Sequence, residues 1–207
     1  LVPDVGGSLI LARAPGRLGE YLGLTAARMT AADAIHAGFA DTFVPQDDWS
    51  ELQNQLAATG NPDVISDFSN TLPDGDIVQN QVDIDRTFGG ETLTDIVNGL
   101  SSLNTDFAKD ALARMGRNDP LAMAAAVDII HRNRGGDDIV QALGLEYRFT
   151  YRAASDGNFI EGIRALIIDK DGTPRWPHAP AAVPGIAVSN MLRPLGVNQL
   201  DLTERRT

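Results

Sequence analysis

The residues best placed to do chemistry stand at the very start of the chain. Asp4 follows Pro3 and is separated by Val5 from the pair Gly6-Gly7. A carboxylate of this kind can orient water, hold a substrate hydroxyl or move a proton. Glycines beside it leave backbone that a substrate can approach closely. The same spacing also reads as a helix start, with Asp4 as N-cap accepting a first-turn N–H. The two roles are compatible, since one oxygen can cap while the other faces a ligand. The residues by themselves favour the cap; on the second role Asp4 is the candidate catalytic residue, and Gly6 and Gly7 are the candidate substrate-binding residues.

The rest of the chain offers little other chemistry. It has no cysteine, which excludes thiolate metal sites and cysteine nucleophiles. No G-x-S-x-G elbow, G-x-x-x-x-G-K-[ST] loop or G-x-G-x-x-G turn occurs. His36, His131 and His178 have no second ligand at a metal spacing. His131 is expected to oppose a helix dipole, His36 to be packed or solvated, and His178 to be exposed. Asp169-Lys170-Asp171-Gly172 has the look of a calcium loop, but Pro180 stands where the bidentate acid belongs, so a turn is expected. No metal and no redox cofactor is implied. The net charge of −11 and the lack of a basic cluster argue against nucleic acid. The Arg205-Arg206 pair reads as a solvated end. No apolar run is long enough to span a bilayer.

The elements that must position Asp4 are mostly helical. A short helix is expected at Ser8–Arg13, broken by Pro15-Gly16, then a second marked by Leu18, Tyr21, Leu22 and Leu24. Thr30 with Asp33 forms a capping box for a third, which Gly38 ends. Phe39 to Val44 reads as a strand, and about Asp48 to Ala58 as a polar helix. Gly60 to Asp76 has the composition of a linker. Helices are then expected at Ile77–Phe88, Thr92–Leu100 and Thr105–Met115. Another begins at Asp119-Pro120, with Met123, Val127 and Ile130 inward and Arg132 and Arg134 near its end. Asp137 or Asp138 caps the next helix, whose Ile139, Val140, Leu143, Tyr147 and Tyr151 are expected to face a core. Phe159, Ile160, Ile163, Leu166 and Ile167 repeat that spacing.

Several segments together resemble one family. Leu1-Val2-Pro3-Asp4-Val5-Gly6-Gly7 resembles the F-P-D-x-G-G motif of 3-hydroxyisobutyryl-CoA hydrolases, with Val2 in place of Phe. Leu18 to Thr25, Arg28-Met29 and Asp33 to Ala40 resemble a segment shared across the crotonase superfamily. Ile84 to Phe88 is similar to I-D-R-x-F, and Leu145-Glu146-Tyr147-Arg148 to the E-x-R segment. Phe159 to Asp171, with Pro174 and Trp176, resembles D-F-x-E-G-V-R-A-x-L-I-D-K-D-x-x-P-x-W, with Asn158 at the first Asp. That I-D-K-D ending, where hydratases carry E-K-R, singles out the hydrolase branch.

The resemblance implies an α/β, crotonase-like (ClpP/crotonase) fold, of which this mostly helical chain is the C-terminal part. Residues 1–60 would complete the core, 61–180 form a helical lobe and 181–207 a tail. It implies hydrolysis of a short branched hydroxyacyl-CoA thioester in valine breakdown, with coenzyme A as part of the substrate. The family's upstream Glu and oxyanion-hole glycines precede the first residue here. The expected partners are thus the acyl-CoA substrate, the missing N-terminal half, and a further copy in a homo-oligomer. The expected compartment is the cytoplasm or mitochondrial matrix. Rival readings are an enoyl-CoA hydratase or isomerase, and a non-catalytic helical assembly module.

Overall fold

In the computed structural model, residues 1–72 and 75–202 are described; Pro73 and Asp74 of the expected linker, and the Arg205-Arg206 pair, lie outside them. In chain order the helices are α1 (Gly7–Arg13), α2 (Leu18–Thr25), α3 (Ala31–His36), α4 (Trp49–Thr59), α5 (Asp76–Gln79), α6 (Gln81–Thr87), α7 (Leu93–Ser102), α8 (Asp106–Met115), α9 (Pro120–Asn133), α10 (Ile139–Arg152), α11 (Phe159–Ile163) and α12 (Gly185–Leu192). They group into two compact units, one of residues 1–27 with 82–207, the other of residues 28–81. Residues 28–60 and 61–81 thus share a unit, whereas the sequence reading divides the chain at 60/61. None of the helices among the described residues is long and apolar enough to cross a membrane.

The larger unit is organised on α9, which packs against α1, α2, α10 and α12. Its alanines make this possible: Ala125 and Ala126 are fully buried and let neighbouring backbones come close. Asp119 caps α9 by accepting from Leu121 N at 3.0 Å, with Pro120 at the first helical position. Met123, Val127 and Ile130 face inward as their spacing requires. Around them Leu18, Leu24, Ile84, Phe88, Ile96, Leu100, Met115 and Phe149 complete a close-packed core. Tyr21 meets Phe88 edge-to-face at 5.3 Å. α1 and α2 cross so tightly that a Cβ on Gly19 would lie 2.0 Å from the Leu11 carbonyl oxygen. Buried Arg152 closes the end of α12, donating to the carbonyls of Met191 at 2.9 Å and Arg193 at 2.8 Å.

The smaller unit starts with the expected capping box. Asp33 N donates to Thr30 Oγ1 at 3.2 Å and Thr30 N to Asp33 Oδ2 at 3.0 Å. The other Asp33 oxygen accepts from Ile77 N at 3.0 Å, tying α3 to α5. Gly38, at φ +75°, ends α3 in a Schellman pattern, with Phe39 N donating to the Ala34 carbonyl at 2.8 Å.

Three expectations need correction. Phe39 to Val44 forms no strand and bends at Phe39 and Asp41; no β-strand occurs among the described residues. A strand needs a ladder of bonds to a partner, and among the described residues this segment makes one backbone bond to a distant segment, Phe43 O accepting from Asn70 N at 3.1 Å. The single helix expected over Ile77–Phe88 is two, α5 and α6, interrupted at Asn80. The buried face of α10 is Ala142, Leu145, Glu146, Phe149 and Arg152, while Ile139, Val140 and Tyr151 are exposed. Phe159 and Ile160 are exposed as well, and Leu166, Ile167 and Ile168, in a π-helical turn after α11, are 68%, 63% and 69% exposed. The aromatic Tyr151 and Phe159 therefore do not pack in this unit's core.

Candidate functional site

Asp4 opens a turn in which the chain twice adopts the left-handed conformation. Val5 has φ +50° and Gly6 has φ +88°. Gly7 N donates to the Asp4 carbonyl at 2.7 Å, closing the turn. Two successive positive φ values define the type I′ family, which suits Asn, Asp and Gly. Val5 is β-branched and strained there, at a cost of about 1–3 kcal/mol. It is also 87% exposed, so no burial compensates. Strained backbone that persists must be held by its surroundings.

Glu146 supplies that hold. One carboxylate oxygen accepts from Gly6 N at 2.8 Å. The other accepts from Ser8 N at 3.0 Å and from the Ser8 hydroxyl. Asn133 Nδ2 donates to Ser8 Oγ at 3.0 Å, so the hydroxyl proton is left to point at Glu146. Glu146 is 2% exposed, and its negative charge sits at the positive end of α1. Every first-turn donor of α1 is thereby satisfied, since Leu9 N and Ile10 N reach the Gly6 carbonyl at 3.1 and 3.3 Å. The price is a buried Asn133 Oδ1 that has no partner.

This arrangement overturns the capping role read for Asp4. The N-cap residue of α1 is Gly6, without a side-chain cap, and the Asp4 side chain is left exposed. The left-handed Val5-Gly6 pair carries Asp4 out of reach of the first-turn amides, and Glu146 occupies them instead. Gly6 has a structural reason to be glycine: besides its positive φ, a Cβ would lie 2.7 Å from Ile139 Cδ1. At Gly7 the nearest atom to an added Cβ is Pro3 Cβ at 3.6 Å, an ordinary contact. The neighbouring hollow of about 140 Å³ is lined by Leu1, Gly23, Ala26, Asn118, Asp119, Ala122, Met123 and Ala126.

A second polar cluster ties α2 to the C-terminal end of α9. Glu20 on α2 is fully buried and receives His131 Nε2 at 3.1 Å, Arg134 Nε at 3.0 Å and Arg17 Nη1 at 3.1 Å. A further Arg134 nitrogen bonds its second oxygen. Burial alone would raise the Glu20 carboxyl, but the hydrogen bonds from His131 and Arg134 and the Arg134 charge bring it down to about 2. His131 is thus a partner of a buried acid. His36 bonds Gln81 Oε1 at 2.9 Å. Among the described residues no group of three His, Asp or Glu could hold a metal.

The I-D-K-D segment is built around one guanidinium. Arg164 binds Glu161 at 2.8 and 2.9 Å, and Asp169 and Asp171 at 2.7 Å each. Hydrogen bonds from Arg164 hold the Glu161 and Asp171 carboxyls down to about 2. The two acids that mark this segment in sequence are therefore spent on shaping its own turn.

A family model described as enoyl-CoA hydratase/isomerase matches residues 1–192. The chain belongs to this family. Among its enoyl-CoA hydratase/isomerase relatives, the mitochondrial 3-hydroxyisobutyryl-CoA hydrolase of Gallus gallus is 30% identical over 98% of this chain and 55% of its own length. The human protein of that name is 29% identical over 86% of this chain and 49% of its own length. The chain thus spans about half the length of these curated relatives. The crystal structure of an enoyl-CoA hydratase from Rhodobacter sphaeroides superposes with a TM-score of 0.88 at 48% identity, covering 97% of this chain and 58% of that one. A carnitinyl-CoA dehydratase from Mycobacterium thermoresistibile gives 0.89 at 29% identity, covering 99% and 59%. The fold is crotonase-like, and this portion of it is mostly helical.

Two features of the site escaped sequence reasoning. Glu146 appeared only as a letter in the E-x-R match, with no role. The strain at Val5 was invisible, because a valine between Asp and Gly gives no sign of a positive φ.

Proposed function

We propose that this chain is the C-terminal portion of an acyl-CoA thioester hydrolase acting on a short branched hydroxyacyl-CoA of the 3-hydroxyisobutyryl type, in valine catabolism. The observation that carries the reading is the exposed Asp4 carboxylate on a strained turn that buried groups hold in place. Water adds to the thioester carbonyl, the C–S bond breaks, and the acid and the free thiol of coenzyme A leave. Asp4 holds water, substrate hydroxyl or departing thiol in register. Gly6 and Gly7 border the substrate's path. A Glu and backbone oxyanion donors from a preceding half supply the attack and stabilise the developing charge. The chain alone is then inactive.

The exposed Leu166, Ile167 and Ile168, with Ile139, Val140 and Tyr151, fit packing against that half or a further copy. The compartment is then the cytoplasm, or the mitochondrial matrix in a eukaryote, the second supported by the mitochondrial relatives.

A hydratase is the second reading, favoured by the 48% identity to a structure described as an enoyl-CoA hydratase. The full-length protein decides between them. Free thiol released from 3-hydroxyisobutyryl-CoA, with crotonyl-CoA absorbance unchanged, is expected. Rapid hydration of crotonyl-CoA without thiol release from any hydroxyacyl-CoA would put the hydratase in its place.

A further inference from the structure

The Asp4 turn is distant in sequence from the residue that holds it: Glu146 lies 140 residues from Gly6. We propose that Glu146 is a positioning residue, which clamps the turn from α10 and so sets the direction in which the Asp4 carboxylate meets the substrate. This inference rests on the catalytic reading of Asp4.

A buried carboxylate is costly unless its lone pairs are satisfied. Glu146 satisfies its own with the amides of Gly6 and Ser8 and the Ser8 hydroxyl, all from the few residues after Asp4. These bonds pin the left-handed Gly6 and, through it, strained Val5. The backbone leaving Asp4 is then fixed on its C-terminal side by Glu146 and by the Gly7 N bond to its own carbonyl at 2.7 Å. Two acceptor oxygens are needed here, which an amide does not offer. The two backbone donors face two different oxygens, 2.8 and 3.0 Å away. Glutamine has a single acceptor oxygen, and its NH₂ would oppose one of those N–H groups. Released from the clamp, Val5 relaxes toward negative φ and Asp4 swings with it. Displacement of a reacting group by about 1 Å can cost on the order of 100-fold in rate.

The test is a double-mutant cycle in the full-length protein, with whichever CoA ester the wild type turns over. Glu146→Gln should lower kcat by roughly 10- to 100-fold and leave KM within about twofold. In an Asp4→Asn background the same change should cost less than about twofold, because the group it positions is already gone. Should Glu146→Gln not fold, Ser8→Ala removes one bond to the carboxylate and leaves both backbone bonds. It should cost roughly 2- to 5-fold in the wild type and nothing beside Asp4→Asn. Equal factors in both backgrounds, or an unchanged kcat, overturn the proposal, since general loosening of the fold would act in either background alike. A silent Asp4→Asn overturns the reading of Asp4 itself, and this role of Glu146 with it. An impaired Asp4→Asn beside a silent or additive Glu146→Gln overturns only the role of Glu146.

Discussion

Replacing Glu20 by Gln tests the buried cluster between α2 and α9 in a way that pH makes specific. Glu20 is fully buried, and its carboxyl is brought down from 4.5 to about 2 by its partners. A group depressed in the folded state stabilises fully above its unfolded pKa, and that stability is lost as pH falls through the folded value. The window therefore runs from about 4.5 down to about 2. At roughly 1.4 kcal/mol per pH unit the shift corresponds to about 3 kcal/mol. The partner side chains of Arg17, Arg134 and His131 are 32%, 27% and 19% exposed. Left unpaired, they retain some water, so the cost sits at or below the ~3–5 kcal/mol typical of breaking a buried pair. Glu20→Gln should thus lower unfolding stability by about 2–3 kcal/mol at neutral pH, or Tm by roughly 5–10 °C. Urea titrations followed by far-ultraviolet circular dichroism, repeated from neutral to strongly acidic pH, provide the measurement. The gap between wild type and variant should close as the wild type loses the Glu20 term. A gap of constant size across that range, or none at neutral pH, would refute the assignment of a stabilising charge to Glu20.

Other expectations follow from the same geometry. Val5→Asn should stabilise the full-length protein by about 1 kcal/mol, because Asn tolerates a positive φ and the lost side chain is exposed; a lower Tm would mean the left-handed turn is not populated. Gly19→Ala should cost about 3 kcal/mol or more, since its Cβ would fall 2.0 Å from a backbone oxygen, and a neutral result in urea unfolding would contradict the close α1–α2 crossing. Co-expression with the N-terminal segment of a relative should recover a complex by size exclusion; a monodisperse, cooperatively melting monomer would count against the chain as half of a larger fold.

What could be read directly from the sequence was local. The capping box at Thr30 with Asp33, the start at Asp119-Pro120 and a cap at Asp137 or Asp138 each involve groups within three residues, so residue type and spacing decide them. The family motif around Asp4 was likewise visible, but not its geometry. Sequence alone favours Asp4 as an N-cap, and only the left-handed Val5-Gly6 pair removes it from that role. The buried face of α10 was misplaced because apolar residues lie on more than one side of the helix: Ala142, Leu145 and Phe149 are buried, Ile139, Val140 and Tyr151 exposed. Packing selected the side carrying Glu146 and Arg152, whose charged ends close helix termini elsewhere in the unit. Glu146 meets Gly6 across 140 residues, and Arg134 meets Glu20 across 114. No periodicity encodes such pairs. A side chain can satisfy orphan amides or a buried charge only where the tertiary fold has brought it within hydrogen-bond reach, so tertiary structure alone assigned these residues their work.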